Sequence, residues 1–360
     1  MAAELPIGTL LESVDRAPAH VLARKLNRHT FWCGQSGSGK TYALGVLLEQ
    51  VMLETELPLV ILDPNSDFVR LGEMRAGAHS ASAEALRSRD VRVLGKKGDH
   101  DLKVQFTELP LKSKAAVAQI DPILDAEEYN QLLRLEDEVH TIDDRDLVAF
   151  LRGKGSVVHD KLANRLENLG ITEWDLWAWG GRNVGDHLDE TADATVLDLG
   201  GFPTPAESRA AALAVLDHLW ARREERIGRL IVIDEAHNLC RPDPATPVER
   251  LLTERIVQIA AEGRKYGLWL LLSTQRPSKV HINALSQCDN LALMRMSSPK
   301  DLAELGDVFG YAPASMLERS SSFTQGQALF AGGFVDSPVL VQMGARITEE
   351  GGSDVAVPLR

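Results

Sequence analysis

The octapeptide Gly34-Gln35-Ser36-Gly37-Ser38-Gly39-Lys40-Thr41 constrains this chain more than any other feature. The pattern G-x-x-x-x-G-K-T needs one backbone setting, in which a strand enters, glycines turn and a helix leaves. Three glycines in six residues let successive N–H groups converge on an anion; Lys40 reaches the outer phosphates and the Thr41 hydroxyl can ligate Mg²⁺. The flanks fit: His29 to Cys33 is a short apolar segment, and Tyr42 to Leu53 carries Leu44, Val46, Leu47, Leu48 and Val51. Residues 34 to 42, Tyr42 included, are expected to cradle phosphate. The plainer option is a glycine turn that merely starts a helix.

Further apolar runs set the fold class. Leu57 to Leu62, Thr195 to Leu199, Leu230 to Ile233, Leu268 to Ser273 and Leu291 to Arg295 read as buried strands, separated by helical stretches at Ala206 to Arg226 and Val248 to Arg264. Strands alternating with helices predict an α/β fold, a mostly parallel sheet with helices on both faces. Residues 29–70 and 195–345 form the expected core, preceded by an N-terminal segment, 1–28. Residues 71–194 read as a mainly helical insertion, with helical stretches at Lys112 to His140, Asp144 to Leu151 and Lys161 to Leu169 and short strands at Val91 to Leu94 and Lys103 to Phe106. Ala328 to Phe334 and Pro338 to Met343 suggest a closing hairpin before a polar tail, 346–360. Trp174, Trp177 and Trp179 are too irregularly spaced for a base-stacking platform and are assigned to packing.

Composition narrows the function classes. The apolar fraction of 44% and charged fraction of 25% suit a soluble globular protein, and no apolar run approaches the ~20 residues that cross a bilayer. The N-terminus lacks a basic-then-apolar leader pattern, so a cytoplasmic location without membrane insertion is expected. Cys33, Cys240 and Cys288 have neither disulfide nor zinc spacing. A net charge of −13 weighs against a nucleic-acid binder, but it does not locate the charge, and a ring can be acidic outside and basic in its pore.

Leu230 to Ile233 delivers Asp234 and Glu235 at a strand's C-terminal end, where ligands bind in open α/β sheets. Asp234 is expected to share a Mg²⁺ shell with Thr41, and Glu235 to polarise a water for attack on a γ-phosphate. An ordinary strand exit is the bland reading of the pair. Gln275, after Leu268 to Ser273, is placed to sense the γ-phosphate. Arg264, in Gly263-Arg264-Lys265-Tyr266-Gly267, and Arg295 could each stabilise transition-state charge in a neighbouring subunit's site.

The series Arg28-His29, Leu62-Asp63-Pro64-Asn65-Ser66-Asp67-Phe68, Asp234-Glu235-Ala236-His237, Gly263 to Gly267 and Ser273 to Val280 resembles the HerA-like group of the HerA/FtsK P-loop ATPases. The resemblance spans about Ile7 to Arg346 and implies a RecA-like P-loop NTPase. It further implies a homo-oligomeric, hexameric ring that hydrolyses ATP at subunit interfaces and moves double-stranded DNA, often beside a nuclease. It gives Lys40 and Thr41 to phosphate and Mg²⁺, Asp234 to the metal, Glu235 to the general base, Gln275 to the sensor and Arg264 to the arginine finger. Two departures stand out. The family's Asp-Pro-His-Gly-Glu-Tyr type segment carries Asp67 in place of a longer acid, and only Met1 to Cys33 precede the loop, too few for the family's N-terminal β-barrel. The Asp-Glu-Ala-His box of two-lobed helicases fits poorly, since little chain after residue 300 remains for a second lobe.

Three functional readings stay open. A duplex-DNA motor, acting with a nuclease or other effector in DNA processing or phage defence, comes first, with Arg152-Gly153-Lys154-Gly155 as the best basic loop for a channel and a solvated surface loop as its plainer reading. A conjugation or secretion pump comes second. An ATP-dependent scaffold of a defence complex comes third.

Overall fold

The structure, a computed structural model, describes residues 3–138, 147–178 and 181–352. Trp179, the start of the helical stretch expected from Asp144, and residues 353–360 lie outside the described residues.

Eleven strands form one sheet: β1 (Glu4–Leu10), β2 (Pro18–Leu22), β3 (His29–Cys33), β4 (Leu59–Asp63), β5 (Val91–Leu94), β6 (Ala194–Asp198), β7 (Arg229–Ile233), β8 (Leu268–Thr274), β9 (Cys288–Leu293), β10 (Gln327–Gly332) and β11 (Val339–Met343). Their order is β2-β1-β11-β10-β9-β3-β8-β7-β4-β6-β5. From β9 to β5 all neighbours are parallel; from β2 to β9 all are antiparallel. Every residue of β3, β4, β6 and β7 is buried, as expected of parallel strands covered on both faces.

The two faces carry separate apolar clusters, and β3 feeds both, Phe31 and Cys33 into one and Trp32 into the other. Helix α1 (Lys40–Glu54) covers the Trp32 face with the β1–β2 hairpin. The opposite face takes the helices α2 to α9 only in part. Of these, α2 (Ala81–Arg87) packs beside α1, whereas α3 (Leu111–Val117), α4 (Ala126–Glu138), α5 (Leu147–Gly153), α6 (Val157–Asn168) and α7 (Val184–Asp189) build outward from α8 (Pro205–Ala221) and α9 (Pro247–Glu262). Both α8 and α9 start at a threonine followed by proline, and each threonine hydroxyl accepts a glutamate N–H in the first turn.

Several boundaries differ from the sequence reading. The segment before residue 29 is part of the sheet, because β1 pairs with β11. The stretch 71–194 is not wholly an insertion, since β5 pairs with β6 and extends the sheet. Lys103 to Phe106 is no strand; only Val104 bridges, to Trp177. The helix expected from Lys112 to His140 breaks between α3 and α4, where Asp121 Oδ1 accepts the N–H groups of Ile123 and Leu124, just after Pro122. Trp177 is buried, stacked on Trp174 at 5.7 Å with Phe106 edge-on at 5.3 Å, a packing role.

The expected tail from residue 346 is corrected most sharply. Arg346 and Thr348 are buried against α1, where the Glu49 carboxylate accepts Thr348 N at 2.7 Å, Thr348 Oγ1 at 2.6 Å and Ile347 N at 3.0 Å. Arg346 lies over the Phe68 ring. The aliphatic and aromatic bulk in this contact offsets the cost of burying polar groups that are themselves bonded.

Candidate active site

The glycine loop joins β3 to α1 at the C-terminal end of the parallel strands. Gly37 and Gly39 have φ values of +73° and +85°, which glycine adopts without the Cβ penalty. The loop is tied to its neighbours on three sides. Gly34 N donates to Thr274 O at 3.3 Å, Gln35 N to Arg295 O at 2.9 Å, and Gly326 N to Ser38 O at 3.1 Å. Ser36 and Gly37 are exposed at the mouth, and Tyr42 caps the rear by accepting Arg346 N at 2.8 Å.

Lys40 bends from α1 into the acids of β7. Its Nζ donates to Asp234 Oδ1 at 2.8 Å and to Ser273 Oγ at 2.9 Å, and lies 3.3 Å from Glu235 Oε1. Ser273 Oγ donates to Asp234 Oδ1 at 2.6 Å. Burial pulls the Lys40 amine down, but Asp234 and Glu235 more than offset it, so the amine is held above its ordinary value and stays charged. Burial pushes Glu235 up, yet His237 and Lys40 together hold its carboxyl below the usual carboxylate range. Glu235 also sits at φ 45°, ψ 49°, a left-handed setting that costs a non-glycine residue about 1 kcal/mol and clusters at functional sites. Its carboxylate lies between Lys40 and His237, with Oε1 3.3 Å from the Lys40 ammonium and Oε2 3.1 Å from His237 Nδ1.

The donor set fits a hard divalent cation. Asp234 is fully buried and its Oδ2 has no hydrogen-bond partner, while oxygens of Asp63, Asp67 and Asp234 lie within 4.8 Å of one another. Asp63 is pinned by the N–H groups of Asp67 and Phe68 at 2.9 and 2.7 Å, and burial pushes its carboxyl up to about 7. Thr41 is on the first turn of α1 beside Lys40.

The structure separates the two arginines. Arg295 lies on its own chain's loop, with Nη2 donating to Gly37 O at 3.2 Å, while Ser297 N donates to Gln35 Oε1 at 3.0 Å. Arg295, two residues beyond β9, thus falls on the same chain's glycines in the single chain, where it was expected to reach a neighbouring subunit. Arg264 is at the other end of the sheet. Its Nη1 donates to Asp289 Oδ2 at 3.0 Å, with Arg28 Nε 3.9 Å from the same oxygen, between cavities of about 490 and 540 Å3. Gln275 follows β8 directly, half-buried, and its amide makes no hydrogen bond among the described residues. Arg152 is committed to Glu167 and to Asn164 Oδ1 at 3.1 Å, and Lys154 lies over the Phe150 ring, which fits the surface-loop reading of that segment.

Three participants escaped the sequence reading: Asp63, Ser273 and His237. Parallel register held the signal for Ser273. Ile233 pairs with Leu272, so the residues after them, Asp234 and Ser273, meet.

Residues 5–171 match the family described as Helicase HerA, central domain. The DNA double-strand break repair helicase HerA of Sulfurisphaera tokodaii is 31% identical over 203 residues, covering 54% of this chain and 40% of that protein. Its namesake in Sulfolobus acidocaldarius is 29% identical over 145 residues, 38% of this chain and 28% of that one. The matches thus span less than half of these relatives' length. In fold, the chain is similar to VirB4 of Thermoanaerobacter pseudethanolicus, with a TM-score of 0.67 at 15% identity over 95% of this chain and 96% of that one. The bacterial conjugative coupling protein TrwB gives 0.62 at 14% identity, over 98% and 96%.

Proposed function

We propose that the chain is a member of the HerA/FtsK class of P-loop ATPases, and that it hydrolyses ATP with Mg²⁺ as a homo-oligomeric ring, hexameric in its working form, and moves double-stranded DNA beside a nuclease or other effector. The observation that carries the hydrolytic part is the Lys40 ammonium, held by Asp234 and Ser273 with Glu235 adjoining, at the foot of the glycine loop.

In this reading the N–H groups of the glycine loop bind the phosphates and Lys40 exchanges its carboxylate partners for phosphate oxygens. Thr41 and Asp234 hold Mg²⁺, which neutralises charge on the outer phosphates. Glu235 takes the proton of the attacking water on its carboxylate. Gln275, with its amide unanchored, orients that water or the γ-phosphate. Arg295 steadies the loop from the same chain. Arg264 faces away from this loop, so it completes the site of a second copy, and the DNA work follows from the ring.

ATP turnover is measured with and without duplex DNA, at two salt concentrations and with EDTA, alongside particle symmetry with and without ATP. A motor turns over only with the divalent ion, is stimulated by duplex less strongly as salt rises, and forms a ring. Turnover indifferent to nucleic acid in an oligomeric preparation would replace the motor by an ATP-dependent scaffold, and a monomer under all conditions would remove the role in trans of Arg264. No described helix is long and apolar enough to cross a membrane.

A further inference from the structure

His237 closes the Asp234-Glu235-Ala236-His237 segment and is unused by the mechanism above. It is the second residue of the 3-10 turn after Glu235, and its ring folds back over the turn. Its Nδ1 lies 3.1 Å from Glu235 Oε2 and 3.0 Å from Thr274 Oγ1. One ring nitrogen carries either a proton or a lone pair, never both. With the proton on Nδ1, the N–H faces Glu235 Oε2, which has no hydrogen-bond partner of its own, and attracts that carboxylate into place. With the proton on Nε2, Nδ1 accepts from the Thr274 hydroxyl, and its lone pair then faces a carboxylate oxygen at 3.1 Å, which drives that oxygen away.

Thr274 is a junction. Its hydroxyl also accepts Arg276 N at 3.0 Å, which closes the turn around Gln275, and its carbonyl accepts Gly34 N, the first N–H of the glycine loop. A shift of either the loop or the Gln275 turn therefore moves the group that competes for His237. We propose that His237 is a positioning residue for Glu235, and that Thr274 makes the placement of that carboxylate depend on the state of the loop and of the Gln275 turn. The inference rests on the ATPase reading above and adds to it a link from phosphate contact to the base.

The test uses the full chain. Steady-state turnover and affinity for a fluorescent ATP analogue are compared for the parent, His237→Ala, His237→Asn, Thr274→Val, Thr274→Ser and the His237→Ala/Thr274→Val pair. His237→Ala is expected to lower kcat about 10-fold or more, part of the about 100-fold that a positioned base supplies at the least, with analogue affinity within about twofold of the parent. His237→Asn, whose amide nitrogen can stand where Nδ1 stands, recovers most of that loss. Thr274→Val, which removes the competing hydroxyl, raises kcat while Thr274→Ser does not, and the double variant matches His237→Ala alone, because both act through one contact. A kcat for His237→Ala within twofold of the parent, or effects that multiply in the double variant, overturns the proposal. Should His237→Ala not fold, the valine and serine variants decide it: equal kcat for the two, or a loss in valine, overturns it, and a gain confined to valine supports it. A folded parent that binds the analogue but never turns over ATP sinks the ATPase reading and this inference with it, whereas an active parent with indifferent variants sinks only the inference.

Discussion

Lys40 Nζ sits 2.8 Å from Asp234 Oδ1, and neither side chain is more than 7% exposed. A charge pair so deeply buried makes each partner necessary to the other, since removing one leaves an unpaired charge in a low-dielectric site. Lys40→Ala is expected to abolish nucleotide binding and to destabilise the nucleotide-free chain by about 3 kcal/mol, with Lys40→Ala/Asp234→Asn recovering much of the stability but none of the binding. Urea unfolding and titration with a fluorescent nucleotide check both halves.

Glu235→Gln keeps the shape of the side chain and loses its basicity. Turnover should fall about 100-fold or more while ATP is still bound, because the base acts in the chemical step and not in the ground state. A single-turnover measurement with excess protein separates the two; unchanged turnover would remove Glu235 from the proposed base role.

Arg264 should act between copies. Arg264→Ala and Lys40→Ala preparations are each expected to be inactive, by a factor of about 10³ for the arginine, the low end for such fingers. Mixed, they should regain part of the activity, since a loop from the first can meet an arginine from the second. No recovery in mixtures shown to co-assemble would return Arg264 to a structural role beside Asp289.

His29 gives a pH signature. It is fully buried, Nδ1 accepts Leu270 N at 2.9 Å, and burial lowers its pKa from 6.5 to about 4. The unfolded chain binds the proton first, so stability is whole above pH 6.5 and is lost as pH falls toward 4, by about 3 kcal/mol from this group. Asp63, raised to about 7, changes stability in the opposite sense over the same window. The measurement is therefore the difference between the parent and His29→Gln in unfolding free energy at pH 7 and 4.5; equal slopes would show that His29 does not titrate as its burial implies.

Gly45 lies under the Arg346 guanidinium, and a Cβ there would meet Arg346 Nε at 2.5 Å. Alanine normally improves a helix by about 1 kcal/mol over glycine. Here Gly45→Ala is expected to destabilise instead, by about 1–3 kcal/mol, because Arg346 is buried and cannot swing away. The sign should revert when Arg346→Ala is added, which thermal unfolding of the three variants reads directly.

The legible parts of the chain were those specified locally. β4 and β7 are unbroken apolar runs, and the glycine loop announces the strand and helix that flank it, so the centre of the sheet and the Lys40, Asp234 and Glu235 cluster could be placed from sequence. What escaped depends on partners far along the chain. β1 alternates buried and exposed residues over Glu4 to Ile7 and is a strand because β2 and β11 pair with it on its two sides. Arg346 reads as a polar tail residue until Glu49 and Phe68 are seen around it. Arg295 could be assigned to either copy until β9 was known to lie beside β3, which fixes it on its own loop.

The glycine loop and Arg264 occupy opposite ends of the parallel strands, separated by the run of β8, about 23 Å for its seven residues. Under the proposed role in trans of Arg264, a copy is a polar object, with a receiving end and a giving end. Contacts that join unlike ends use two different patches, and repetition closes a ring when the rotation allows it and grows a filament when it does not. In the closed case no copy is first or last, and every phosphate loop has a donor; in the open case one loop at the terminus always lacks its arginine. With Arg264 acting in trans as proposed, complete sites follow a counting rule, one per contact rather than one per molecule.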